Sequence, residues 1–132
     1  MSAWIGVASF VAATGWAFLR YRPSRVEIEG PSMAPTLVPG DWVIIVTPSS
    51  YRRGDVVVVE HPGRPGYEMV KRLVALPGDV VGERTLGPDD YWIEGDGPAS
   101  TDSRHFGPVT RGALRARAEV VYWPIERRAR VR

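Results

Sequence analysis

With 132 residues, 44% of them hydrophobic, the chain has room for one domain with a modest core and at most one extra element. It holds no cysteine, which excludes disulfides, cysteine-ligated zinc and thiol catalysis, and its Gly 14 and Pro 12 point to many short strands joined by turns. The net charge of +2 is unevenly spread: residues 20–25 hold three arginines and no acid, residues 111–132 hold seven arginines against two glutamates, and residues 26–110 hold seven bases against thirteen acids. Basic ends around an acidic body suit termini lying near anionic lipid headgroups, with a solvated tail as the plainer alternative. No helix-turn-helix, zinc or aromatic RNA motif accompanies the arginines, so nucleic acid is not an expected partner.

Residues 3–19 carry no charge, and Trp4, Trp16 and Tyr21 stand near the ends of the run. A helix of that length is roughly 25 Å long at ~1.5 Å per residue, at the lower limit for crossing a bilayer. Aromatic residues at both ends suit the two interfaces. The run ends in Phe18-Leu19-Arg20, without the small residues of a cleavage site. The expectation is therefore an uncleaved single-pass anchor over residues 1–22, followed by one β-rich domain over 23–132 with a basic tail. Because Arg20, Arg22 and Arg25 follow the run, the positive-inside rule places that domain in the cytoplasm.

Beyond Pro23 the pattern changes to brief apolar runs. Strands are expected near residues 26–29, 42–46, 56–59, 68–74, 80–81, 91–94 and 118–123. Turns are expected at Pro39-Gly40-Asp41, at residues 48–54 and 61–66, and at Pro77-Gly78-Asp79. Residues 111–117 are the only stretch read as a short helical turn. Many brief strands at close spacing argue for a coiled, mostly antiparallel β domain or open barrel.

Two residues stand out chemically. Ser32 lies in Gly30-Pro31-Ser32-Met33-Ala34-Pro35-Thr36-Leu37, where proline and glycine favour a rigid irregular loop. A serine becomes a nucleophile only with a base beside it. Lys71, inside the run 68–74, is the sole lysine among 17 basic residues. Arginine does not give up its proton in a protein, whereas a lysine in apolar surroundings does so near neutrality.

Three motifs follow in order: Ser32-Met33-Ala34-Pro35-Thr36-Leu37, then Lys71-Arg72 leading to Pro77-Gly78-Asp79, then Gly95-Asp96 with Ser100-Thr101-Asp102-Ser103-Arg104 and Phe106-Gly107-Pro108-Val109. Together they resemble the type I signal peptidase family of Ser/Lys peptidases, over most of residues 26–123. The resemblance implies the coiled antiparallel β fold of that family behind a membrane anchor. It implies Ser32 as nucleophile, Lys71 as general base and Ser100 as the hydroxyl that orients the lysine. Asp96, Asp102 and Arg104 would brace the loop. The substrate would be a protein or peptide, cut after small residues at positions −1 and −3, with the catalytic domain outside the membrane. No metal and no cofactor enter this chemistry.

The chain departs from the family in two places. Many relatives carry a serine two residues before the nucleophile, as an oxyanion donor, where this chain has Gly30. The usual Gly-Asp-Asn reads Gly95-Asp96-Gly97, without the side-chain amide. Other readings stay open at this point. The compact length and the His-Pro…Arg-Pro spacing before Val70-Lys71-Arg72 are also similar to dedicated maturation proteases of the nickel superoxide dismutase type, for which a cytoplasmic domain is suitable. A self-cleaving repressor peptidase would need a DNA-binding domain where the apolar run stands. An inactive membrane scaffold would have little use for both Ser32 and the solitary lysine.

Overall fold

The computed structural model describes residues 24–132. The expected anchor over residues 1–22 lies outside the described residues. Among the described residues no helix is long and apolar enough to cross a membrane.

The described chain is mostly β and antiparallel throughout, as its turn-rich sequence predicts. Seven strands form one sheet in the order β1-β2-β8-β3-β4-β7, with β9 beside β8. Their bounds are β1 Ser24–Glu27, β2 Trp42–Val46, β3 Val56–Glu60, β4 Glu68–Ala75, β7 Trp92–Glu94, β8 Leu114–Trp123 and β9 Ala129–Arg130. A separate hairpin pairs β5 Val80–Val81 with β6 Arg84–Thr85.

Burial follows strand periodicity. In β4, Met69, Lys71, Leu73 and Ala75 are buried and alternate with less buried neighbours. Period-two alternation sends successive side chains to opposite faces, so Lys71 shares a face with Met69 and Leu73. In β3 all four valines are buried, the pattern of a strand covered on both faces. Val57 and Val59 join one apolar cluster with Met69, Leu73 and Ile93. Val56 joins a second with Ile28, Met33, Leu37 and Val43. The domain thus has two cores, one on either side of β3.

Two expectations need correction. Residues 111–117 are not one helical turn: a 3-10 turn takes only Arg111–Ala113, and β8 begins at Leu114. Leu114, Ala116 and Ala118 are buried and alternate with more exposed residues, a strand period that overrides the local turn signal. The short helix α1, Ser103–Phe106, was not expected. A capping box holds it: Asp102 accepts from the Arg104 N–H, and the Asp102 N–H reaches His105 Nδ1. The basic tail is not a loose end, because Ala129 and Arg130 pair with Val121 and Val120.

Candidate active site

Ser32 lies in the turn-rich segment after β1, and its context is set by packing on both sides. Met33 and Leu37 are almost wholly buried, 1% and 0% exposed, and anchor the loop in the second core. Leu37 N–H donates to the Met33 carbonyl at 2.9 Å, tightening the turn between them. Before it, Gly30 has φ +74, in the left-handed region that β-carbon residues disfavour. That is a physical reason for glycine at position 30.

Lys71 reaches the site from the middle of β4. It is 4% exposed, and burial pushes its amine below the ordinary lysine value of 10.5. The Asp102 charge opposes that shift and Arg104 adds to it. Ser32 and Lys71 line the same cavity, of about 410 Å³.

The third sequence motif joins the two. Lys71 Nζ donates to Ser100 Oγ at 2.9 Å, and Ser100 Oγ donates to Asp102 Oδ2 at 2.7 Å. Asp102 is fully buried and also accepts from Gly95 N–H at 2.8 Å and from Arg104 Nε and Nη2 at 3.0 and 2.7 Å. Burial alone would raise the Asp102 pKa. The hydrogen bonds from Arg104, Gly95 and Ser100 outweigh it and hold the carboxyl well below the usual range. An ionised carboxylate has no proton to give, so the single Ser100 proton goes to Asp102, and the Ser100 oxygen can only accept from the amine. An uncharged Lys71 held this way spends one N–H on Ser100 and keeps its lone pair for another proton.

The sequence motifs did not reveal how closely this segment packs on Ser32. Gly97 N–H donates to the Ser32 carbonyl at 2.8 Å. A β-carbon on Gly97 would lie 2.5 Å from the Pro31 carbonyl oxygen, and one on Gly95 2.1 Å from Ser100 Oγ and 2.5 Å from the Ser32 carbonyl oxygen. At Gly97 this backbone therefore leaves no room for a side chain.

Asp96 stands apart from the Asp102–Arg104 group. It accepts two hydrogen bonds from Arg72, at 2.9 and 2.8 Å, and one from Thr36 Oγ1 at 2.6 Å. Through Asp96 the residue after the lysine is tied to the loop of the serine. Below it, Arg127 makes a two-toothed contact with buried Asp41, at 2.7 and 3.0 Å, and Asp41 in turn caps the Val38 N–H. Neither Thr36 nor Arg127 carries a local sequence signal that separates it from a surface residue. Among the described residues no cluster of potential metal ligands occurs.

A buried lysine, a looped serine on the same cavity and a hydroxyl that joins the lysine to a buried carboxylate can be compared with known proteins. Residues 1–84 match the family described as Signal peptidase, peptidase S26. The chain belongs to this signal peptidase family. It is 38% identical over 120 residues to mitochondrial inner membrane protease subunit 2 of Mus musculus, covering 76% of this chain and 67% of that protein. It is 40% identical over 126 residues to the mitochondrial ATP-independent inner membrane protease subunit 1a of Arabidopsis thaliana, covering 81% and 74%. The Saccharomyces cerevisiae inner membrane protease subunit 2 is 31% identical over 121 residues, covering 76% and 68%. The chain is a peptidase of this family, and its substrate is protein or peptide.

Proposed function

We propose that this peptidase is a membrane-associated serine endopeptidase that removes N-terminal leader segments by a Ser32/Lys71 dyad. Ser32 Oγ attacks the scissile carbonyl carbon while Lys71 Nζ takes its proton, giving a tetrahedral oxyanion. Collapse breaks the C–N bond, and Lys71 returns the proton to the departing amine. Water then hydrolyses the seryl ester, with Lys71 again the base. Ser100 and Asp102 fix the amine, Arg104 holds Asp102, and Asp96 braces the serine loop through Thr36. With glycine at position 30, the oxyanion rests chiefly on the Ser32 backbone N–H.

The observation that carries this reading is the directional chain Lys71–Ser100–Asp102 beside Ser32 in one cavity. The cavity also suits an extended peptide. β4 pairs with β3 over residues 68–72 but with β7 only from Arg72 onward, so among the described residues no strand covers the other side of residues 68–71. A peptide laid there would gain main-chain hydrogen bonds as an added strand. Two features support membrane association. The uncharged run 3–19 ends shortly before β1, and Trp42, Tyr122 and Trp123 gather beside Arg25, with Trp123 52% exposed.

The test is to compare Lys71→Arg and Ser32→Ala with the parent chain on a leader-type peptide bearing small residues at −1 and −3. Arginine keeps the charge without releasing it, so each variant should lose at least ~10²–10⁴-fold in kcat, with the double variant no worse than either. Circular dichroism would first establish that each variant is folded. In the parent, activity should rise with pH through a Lys71 pKa below 10.5, because only the neutral amine accepts the proton. The same shift makes protonation of the buried amine costly to the fold, so its contribution to stability declines as pH falls from the ordinary lysine range through the lowered value. A Lys71→Arg chain with most of its activity would overturn the mechanism.

A further inference from the structure

Going out from β1, the sheet runs β1-β2-β8-β3-β4 with every neighbouring pair antiparallel, so β1 and β4 point the same way. These two strands and their extensions flank the cavity, one leading to Ser32 and the other to Lys71. Residues that precede each catalytic group therefore lie toward the same end of the cleft. On one wall Glu29 comes three residues before Ser32 and Glu27 five before it; on the other, Glu68 comes three residues before Lys71, on the opposite and exposed face of β4, and lines the cavity from there. On the β4 wall three extended residues cover about 10 Å. All three glutamates are exposed, and all line the cavity.

The titratable residues lining this cavity are Glu27, Glu29, Glu68, Arg64, His61, Tyr67 and Lys71. Arg64 lies over the Tyr67 ring, 4.2 Å from its centroid, and offsets one of the acids. Arg115, which feels the Glu68 charge, is itself bound to Glu60. Among the described residues none of the three cavity glutamates has a salt-bridge partner. One end of the cleft is thus acidic and unpaired, while the end at Ser32 is lined by Met33, Ala99 and small polar groups. The cavity and the open β4 edge make this a peptide-binding surface; the glutamates give that surface a sign.

We propose that Glu27, Glu29 and Glu68 select substrates with a basic residue three to six positions from the scissile bond, on one side of it only. This rests on the Ser32/Lys71 reading for the position of the cut. Complementary charge across a partly solvated cleft raises both encounter rate and discrimination, and salt weakens it.

The experiment uses the full chain in detergent, with a peptide series holding small residues at −1 and −3 and one lysine moved from −6 to +4. Cleavage is read as kcat/KM. Binding is read separately by fluorescence anisotropy on the Ser32→Ala chain, which needs no chemistry. The expected result is a rise of about tenfold in both readouts, for lysine at one or two positions on one side, shrinking in 0.5 M salt. In Glu29→Lys with Glu68→Lys the preference should invert, favouring glutamate at the same position. A position-independent binding profile, or a lysine preference that survives the double charge reversal, overturns the proposal. Charge-dependent binding without any cleavage would support the proposal and sink the dyad reading instead.

Discussion

The proposed base and the proposed nucleophile of this peptidase rest on different cores. Lys71 belongs to a regular strand whose face is packed by Met69 and Leu73 in the cluster with Val57, Val59 and Ile93. Ser32 belongs to an irregular loop pinned by Met33 and Leu37 in the cluster with Ile28 and Val43. β3 lies between, with Val57 and Val59 in the first cluster and Val56 in the second. On the lysine side, position follows from ladder hydrogen bonds and strand periodicity. On the serine side no ladder exists, and position follows from buried anchors and polar clamps: Thr36 to Asp96, Arg127 to Asp41, Gly97 to the Ser32 carbonyl. A single segment, residues 95–102, touches both. The difference teaches that the proposed dyad depends less on either half than on the joint between them.

The largest expected effect comes from breaking that joint. In Gly95→Ala the new methyl would stand 2.1 Å from Ser100 Oγ and 2.5 Å from the Ser32 carbonyl oxygen, contacts that force a shift of both. Overpacking of this kind costs roughly 1–3 kcal/mol of stability. Catalysis should suffer more, because the amine loses its orienting partner and the serine its seat together: a fall of ~10²–10⁴-fold in kcat, the range for a lost general base. Gly112→Ala is the control, since its new methyl meets nothing nearer than Thr110 Oγ1 at 3.9 Å. Kinetics and thermal melts of the two variants decide the matter; full activity in Gly95→Ala would mean that the halves are aligned some other way.

The two cores can also be compared directly. Leu73 and Leu37 are both 0% exposed, one in each cluster. Truncation of either to alanine should cost about 2–5 kcal/mol. Their catalytic consequences should differ. Leu73 is held by strand pairing with Ile93 and by Leu73 N–H donating to the Asp55 carbonyl at 2.7 Å, so Leu73→Ala should lower Tm while leaving kcat in the cold nearly unchanged. Leu37 anchors a loop without a ladder, so Leu37→Ala should lower both. Equal kcat values for the two variants at a temperature where both are folded would erase the distinction.

This asymmetry also explains what could be read from the sequence. β2 was legible at its full extent, and β4 nearly so, because an apolar run bounded by turn residues has few other solutions. Ser32, Lys71 and Ser100 stood out through motif order; the structure places Ser32 and Lys71 on one cavity and joins Lys71 to Ser100 by a hydrogen bond. The reach of β8 back to Leu114 was masked by Arg115 and Arg117, whose long side chains interrupt the apolar pattern on the outer face. α1 was missed because four residues carry no helical period, and its cap, Asp102, was already read as a partner of Arg104. Asp96 was grouped with Asp102 from proximity in sequence, yet its partners are Arg72 and Thr36, 24 and 60 residues away. Polar clamps between distant segments leave no periodic trace, so the serine side was the less legible half.

The smallest expected effect sharpens the comparison most finely. Thr36→Val keeps the branched shape and removes only the hydroxyl that donates to Asp96 Oδ2 at 2.6 Å. Asp96 keeps both contacts from Arg72, which is also the leading cause that holds its carboxyl below the usual range; burial opposes and Thr36 adds a lesser share. A hydrogen bond to a charged group contributes about 1.5–3 kcal/mol, and partial exposure of Asp96 argues for the low end. The loss should appear as a modest drop in Tm and a decrease of less than about tenfold in kcat, because the clamp acts on the serine loop and leaves Lys71 in its strand. The acid limb of the pH–rate profile should therefore stay where it is. Stability should respond to pH with a definite sign. A depressed carboxyl stabilises the fold above its unfolded pKa, and that contribution is lost as pH falls through the folded one. The gap in Tm between parent and Thr36→Val should accordingly be full near neutrality and close as Asp96 protonates. A gap that is constant down to low pH would assign Thr36 a packing role, and a displaced acid limb would mean that the clamp acts on the lysine after all.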